Sequence, residues 1–159
     1  MKKVINRKSE EVLLRYPDLC PLITSITDSY TLSLEPNLTI KAIETPGHKA
    51  DHMSYMIEQN SQSLLFPGDM ILGTPSVSFD CLSSYMESLS KVLKLDPDEI
   101  LLSHTLPDQD SLIKNAKNKI QSYIRYRRTR EQEVIRLIKH CDDLESLFEL
   151  MYGAKLRQQ

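Results

Sequence analysis

Thr45-Pro46-Gly47-His48-Lys49-Ala50-Asp51-His52 follows an alternating apolar run, Leu38 to Glu44, that reads as a β-strand. Two other segments repeat the arrangement. Phe66-Pro67-Gly68-Asp69 closes one apolar run, and Leu101-Leu102-Ser103-His104 closes another. A His, an Asp and a His, each at the C-terminal tip of a strand, form a metal-ligand pattern rather than a core pattern. Imidazole and carboxylate suit zinc and similar ions. A carboxylate can also bridge two ions, a role for Asp69 that a neutral His cannot fill. Gly47 and Gly68 precede the ligands, where glycine lets the backbone turn sharply. Taken singly, each residue has a plainer reading: a His after a strand as a surface or core residue, a Gly-Asp pair as a turn.

Outward from these segments, the patterning gives a coarse order of elements. Tyr30 to Leu34 and Leu38 to Glu44 read as strands joined at Glu35-Pro36-Asn37. Met53 to Glu58 and Ser63 to Phe66 form a second pair across Gln59-Asn60-Ser61-Gln62. Residues 70–80 read as a loop around Gly73 and Pro75. Leu82 to Leu93 carries apolar residues at helical period, and Glu99 to Ser103 reads as a short buried strand. A long helix is expected from Asp110 to His140, capped by Asp110 or Ser111. Its apolar stripe is interrupted by Arg127 and Glu131, which stand i,i+4 and can pair. Leu144 to Tyr152 reads as a last amphipathic helix. Strands ending in ligand-bearing loops and covered by helices indicate an α/β layered sandwich, with hairpins that imply antiparallel or mixed pairing.

At 159 residues, 40% apolar and 26% charged, the chain is one domain's worth or part of a larger domain. Residues 1–28 are poorly patterned and read as a loop or short helix, broken by Pro17 and Pro21. The three cysteines, Cys20, Cys81 and Cys141, are scattered, which suggests reduced thiols in an intracellular protein. No apolar run approaches the ~18 residues of a membrane span. The basic start, Met1 to Lys8, reads as a solvated terminus or as a transit peptide, so cytoplasm and mitochondrial matrix are both open. Net charge is -2, but residues 114–139 hold nine Lys/Arg against Glu131 and Glu133, a local net of +7. Arg125, Arg128 and Arg130 in this stretch are candidate RNA contacts, whereas the chain as a whole has no global pull toward nucleic acid and nothing points to DNA.

The order T-P-G-H at 45–48, F-P-G-D at 66–69 and a strand-terminal His at 104 resembles the second half of a metallo-β-lactamase-fold hydrolase. The resemblance extends to the β-lactamase-like protein 2 endoribonuclease subgroup through five segments. These are Thr45 to Met53 (T-P-G-H-x-x-D-H-M), Gly68 to Gly73 (G-D-x-I-L-G), Tyr85 to Leu89 (Y-M-x-S-L), Asn115 to Ile124 (N-A-x-x-K-I-Q-x-Y-I) and Arg127 to Gln132 (R-x-x-R-E-Q). The resemblance implies that His48 binds a first zinc ion, His104 binds a second, and Asp69 bridges both as the catalytic carboxylate. It places His52 near the site as a second-shell or substrate-binding residue. It implies hydrolysis of single-stranded RNA.

The subgroup's other metal motif, H-x-H-x-D-H, does not occur. The four histidines are His48, His52, His104 and His140, and no two are separated by one residue. Each metal would keep only two of its expected protein ligands, where zinc takes at least three. Thr105 stands where the resembled loop has a glycine. The expectation is therefore an incomplete αββα sandwich over 29–140. Beyond it, 141–159 would be the start of a winged-helix-like extension, in a truncated chain inactive alone whose sheet exposes an apolar face. Two other functions remain open: a thioester hydrolase of the glyoxalase II type using the same ligands, and a non-catalytic RNA- or partner-binding module using helix 114–139. Oligomeric state is not legible.

Overall fold

The structure is a computed structural model, and it describes residues 15, 26–74 and 77–156. Most of the expected N-terminal segment 1–28, including Cys20, lies outside the described residues, as do two positions of the 70–80 loop. Six strands form one mixed sheet in the order β1 (Thr31–Glu35), β2 (Leu38–Glu44), β3 (Met53–Gln59), β4 (Gln62–Phe66), β5 (Glu99–Leu101) and β6 (Leu112–Ile113). All neighbours are antiparallel except β4 and β5, which run parallel. Asn60 and Ser61 both take positive φ, 49° and 67°, and Gln59 faces Gln62. That is the tight two-residue turn whose twist matches a hairpin. Parallel pairing of β4 with β5 requires a long crossover, supplied by α1 (Leu82–Lys94).

Strand polarity decides where the candidate ligands go. β2 and β4 each run antiparallel to β3, and β5 runs parallel to β4, so β2, β4 and β5 all point the same way. The residues just beyond their C-terminal ends therefore gather at one edge of the sheet. β3 begins at that edge, which brings in His52 as well.

One sheet face packs on the helices. Ile43, Met56, Leu65 and Ile100 meet Tyr85, Leu89 and Val92 of α1 and Ala116, Ile120, Tyr123 and Ile124 of α2 (Ala116–Leu137). The opposite face carries the cross-strand rows Ile40–Ile57–Leu64 and Ala42–Tyr55–Phe66. Apart from buried Ala42 these residues are half-buried.

The long helix starts later than its pattern suggests. Leu112 and Ile113 join the sheet as β6, opposite Leu101 and Ile100, and so leave the helix. The cap is Asn115, whose side chain accepts from the Asn118 N–H at 3.0 Å, in place of Asp110 or Ser111. The apolar stripe holds only to Arg127. Beyond it Ile135 and Ile138 are exposed. A last helix, α3 (Leu144–Leu156), buries Leu147 while Leu144 and Phe148 stay exposed. No helix among the described residues is long and apolar enough to cross a membrane.

Candidate metal centre

Asp69 lies in a single 3-10 turn, Gly68–Met70, directly after β4. Its two carboxylate oxygens face different imidazoles. Oδ2 is 3.6 Å from His48 Nε2, and Oδ1 is 3.2 Å from His104 Nε2. The structure thus brings together the three residues predicted as ligands, with the carboxylate between the two rings. His48 is largely covered, whereas His104 is open to solvent.

The His48 ring is oriented by its other nitrogen. Nδ1 lies 2.7 Å from the Ser78 carbonyl, which can only accept, so Nδ1 carries the proton. In the neutral ring Nε2 is then a bare lone pair aimed at a carboxylate oxygen. Two acceptors facing each other need a cation between them, either a second proton or a metal. A metal-binding His typically donates its second N–H to a carbonyl in this way. The donor types and the His48 tautomer therefore suit zinc. Their number does not complete a site: two imidazoles and one shared carboxylate leave each of two ions with two protein donors. Among the described residues, no group of three or more His, Cys, Asp or Glu is arranged to hold one ion.

His52 sits behind the cluster. Its ring is edge-on to His48, with centroids 5.7 Å apart. Its Nδ1 lies 3.1 Å from the Thr45 carbonyl and 2.9 Å from Thr45 Oγ1. Burial holds this imidazole below the usual histidine range, and the neighbouring His48 pushes the same way. A neutral His52 donates from Nδ1 to Thr45. The Thr45 hydroxyl pairs with Ser54 Oγ at 2.9 Å, and Ser54 donates to the Pro67 carbonyl at 3.3 Å. This buried chain ties the His48 loop to the turn that carries Asp69.

Two residues of α1 grip the same loops. Tyr85 donates to the Met70 carbonyl at 2.8 Å, and Ser88 donates to the Pro46 carbonyl at 2.7 Å. They stand i,i+3 on one face, so a single helix turn fixes both the Asp69 turn and the His48 turn. Thr105 does not fall in the positive-φ region, so a branched residue is accommodated after His104.

Residues 6–104 match the metallo-beta-lactamase superfamily. The chain belongs to this family. The match includes His48, Asp69 and His104 and extends into the N-terminal segment. A Caenorhabditis elegans protein named beta-lactamase-like protein 2 homolog is 33% identical over 122 residues, covering 77% of this chain and 39% of the relative. Its Drosophila melanogaster namesake is 32% identical over 124 residues, covering 75% and 40%. An Aspergillus fumigatus atrochrysone carboxyl ACP thioesterase is 30% identical over 129 residues, covering 81% and 38%. The chain spans about two fifths of the length of these relatives. Among solved structures, a Sulfolobus tokodaii metallo-beta-lactamase superfamily protein aligns with TM-score 0.52 at 20% identity, over 76% of this chain and 48% of the other. A Thermus thermophilus metallo-beta-lactamase family protein aligns with TM-score 0.55 at 14% identity, over 91% and 55%. These two likenesses establish the shared fold.

The candidate ligands stand out in the sequence, and Thr45, Tyr85 and Ser88 fall within the segments T-P-G-H and Y-M-x-S-L, but the bonds these three make are not legible there, and Ser54 reads as an ordinary strand position. A signal was present for Ser88, a small polar residue on the apolar face of α1, where it is 3% exposed.

Cys81 directly precedes α1 beside this site, its N–H bonded to the Gly47 carbonyl at 3.2 Å. The Ser83 and Ser84 hydroxyls at its sulfur bring the exposed thiol down to about 7. The thiolate is the nucleophile, and its fraction rises with pH through that value. Iodoacetamide should therefore alkylate Cys81 with a half-maximal rate near pH 7 and ahead of Cys141, read by peptide mass spectrometry. A midpoint near the ordinary thiol value of about 8.5 would contradict the assignment.

Proposed function

We propose that this chain supplies the bridging-carboxylate part of a zinc-dependent hydrolase site acting on single-stranded RNA. The observation that carries the reading is Asp69, with one oxygen toward His48 and the other toward His104. His48 and His104 would each hold one ion through Nε2, and Asp69 would hold both. Bound zinc lowers the pKa of water and neutralises charge developing at the reacting group. The protein's own contributions are the Ser78 carbonyl that fixes the His48 tautomer and the α1 side chains that fix the loops. The relatives named beta-lactamase-like protein 2 homolog support the assignment of subgroup.

RNA is favoured by the surface of α2. Arg125 and Arg128 are exposed, and Arg128 lines an open groove with Lys91 and Lys94 of α1. Arg130 is engaged with Glu133 and the Tyr152 hydroxyl, so it contributes less. Changing Arg125 and Arg128 to Ala should weaken binding of a single-stranded RNA about uniformly across sequences and reduce its salt dependence by roughly one unit per lost phosphate contact. Unchanged affinity and salt slope would remove α2 from the RNA surface.

With only three ligands in hand, the chain by itself is expected to bind zinc weakly and to leave single-stranded RNA uncut. The test is zinc content and RNA cleavage of the purified chain. Tight stoichiometric zinc with turnover that disappears in Asp69→Ala would overturn the expected inactivity and show that the ligands suffice. Zinc binding that ignores Asp69→Ala would overturn the site. The thioesterase relative makes a thioester the second substrate class to assay. Cleavage of a thioester but not of RNA would transfer the site to that chemistry. RNA binding that survives His48→Ala with His104→Ala, without metal, would instead mark a binding module.

A further inference from the structure

Three side chains on the inner face of α2 bring polar end groups to backbone carbonyls. Lys119 Nζ donates to the Gly73 carbonyl at 3.2 Å. The Tyr123 hydroxyl accepts from the Leu72 N–H at 3.0 Å and shares its one proton between the Leu72 carbonyl, at 2.7 Å, and the Thr74 carbonyl. Arg127 Nη2 donates to the Val77 carbonyl at 2.5 Å, and its guanidinium lies 4.8 Å over the Phe79 ring. The three are spaced i, i+4, i+8 and so stand in one row. The interruption of the apolar stripe at Arg127 is the end of this row.

The backbone they hold is joined to the candidate ligands. The Gly73 N–H donates to the His104 carbonyl at 3.1 Å. Val77 precedes Ser78, whose carbonyl fixes the His48 ring. Residues 72–74 and 77–79 lie outside the sheet and helices, so their carbonyls need partners from elsewhere. An apolar row would pack α2 as well but would leave them without these donors.

We infer that Lys119, Tyr123 and Arg127 are positioning residues, a polar row on α2 that sets His48 and His104 relative to Asp69 through residues 72–74 and 77–79. Arg127 acts on His48 by way of Val77 and Ser78. Lys119 acts on His104 by way of Gly73, and Tyr123 holds the residues on either side of Gly73, Leu72 and Thr74. The inference rests on His48, Asp69 and His104 forming one site.

The test reads the histidine rings by long-range 15N–1H NMR on the full chain without zinc, in Lys119→Met, Tyr123→Phe, Arg127→Met and Arg127→Lys. In Arg127→Met the His48 Nδ1 proton should exchange about tenfold faster, the factor carried by one strong net hydrogen bond. Arg127→Lys, which keeps a donor, should recover most of that protection. Lys119→Met should shift His104 and leave His48 in place, and exposed His140 should report no change in any variant. Tyr123→Phe removes one oxygen and keeps the core volume, so it carries the test even if Arg127→Met does not fold. It should move His104. Native His104 signals in folded Tyr123→Phe and Lys119→Met would overturn the inference, as would an Arg127→Met effect on His48 that Arg127→Lys does not reverse. The readout needs neither zinc nor RNA, so a failure of zinc binding or cleavage bears on the proposed function alone.

Discussion

Gly47→Ala is expected to destabilise the fold by at least about 4 kcal/mol, the range reached by backbone clashes and strain at special φ/ψ. Gly47 has φ +132°, a conformation that L side chains rarely adopt. A Cβ there would stand 2.4 Å from both the Tyr85 N and Cα atoms. Those are backbone atoms of a packed helix, so no rotamer change relieves the contact. The Gly47 carbonyl also accepts from Asp80 and Cys81, which locks this turn to the start of α1. Thermal unfolding should show a drop of roughly 10 °C or more. Gly153→Ala is the control. There the atoms nearest to the added Cβ belong to the far end of the Glu149 side chain, within a helix. That side chain can swing away, and alanine is favoured in a helix interior, so the melting temperature should hold or rise. A Gly47→Ala protein that melts like the parent would contradict the described packing of the His48 turn on α1.

Asp69→Asn should have the opposite profile, with little effect on stability and a large one on metal affinity. Asp69 is about half exposed, so its contacts with the two imidazoles are weak contributors to folding. The melting temperature should therefore change by no more than about 2 °C, since exposed ion pairs contribute ~0–1 kcal/mol. Zinc affinity, followed by competition with a chelating dye, should fall at least about 100-fold, because changes to groups merely surrounding ligands already cost 10–100-fold. Asparagine keeps the size of the side chain but can no longer neutralise two ions. A variant that retains parental zinc affinity would show that Asp69 is not a ligand. One that melts far below the parent would show that the carboxylate holds the turn together.

How much of this the sequence discloses depends on the range of the interactions involved. The strands, α1 and the three ligand candidates are local patterns: alternation, helical period and a glycine before a polar residue. Convergence of His48, Asp69 and His104 follows from strand direction, and the β4–α1–β5 crossover was written in the order of elements. The helical pattern starts α2 too early because Leu112 and Ile113 satisfy a helical stripe as well as a strand. Pairing with Ile100 and Leu101 decided the matter, and that contact is tertiary. The supports were out of reach for the same reason. Nothing local to Ser88, Tyr123 or Arg127 says which carbonyl each will bond. The partners lie 42 positions away for Ser88, 51 for Tyr123 at Leu72 and 50 for Arg127. Arg127 is visible in the sequence as an interruption of the stripe, with Glu131 as its expected helical neighbour. The structure instead sets it over Phe79 and on the Val77 carbonyl.

The proposed chemistry requires three strand ends to assemble His48, Asp69 and His104 into one metal-binding cluster. The most direct measurement is a zinc titration of the chain, labelled with 15N-histidine and followed through all four imidazoles. The Nε2 signals of His48 and His104 should shift together, His52 should keep its Nδ1 proton, His140 should stay still, and Asp69→Asn should abolish the response. Zinc shifts centred on His140 or confined to one ring, or a response that Asp69→Asn leaves intact, would contradict it.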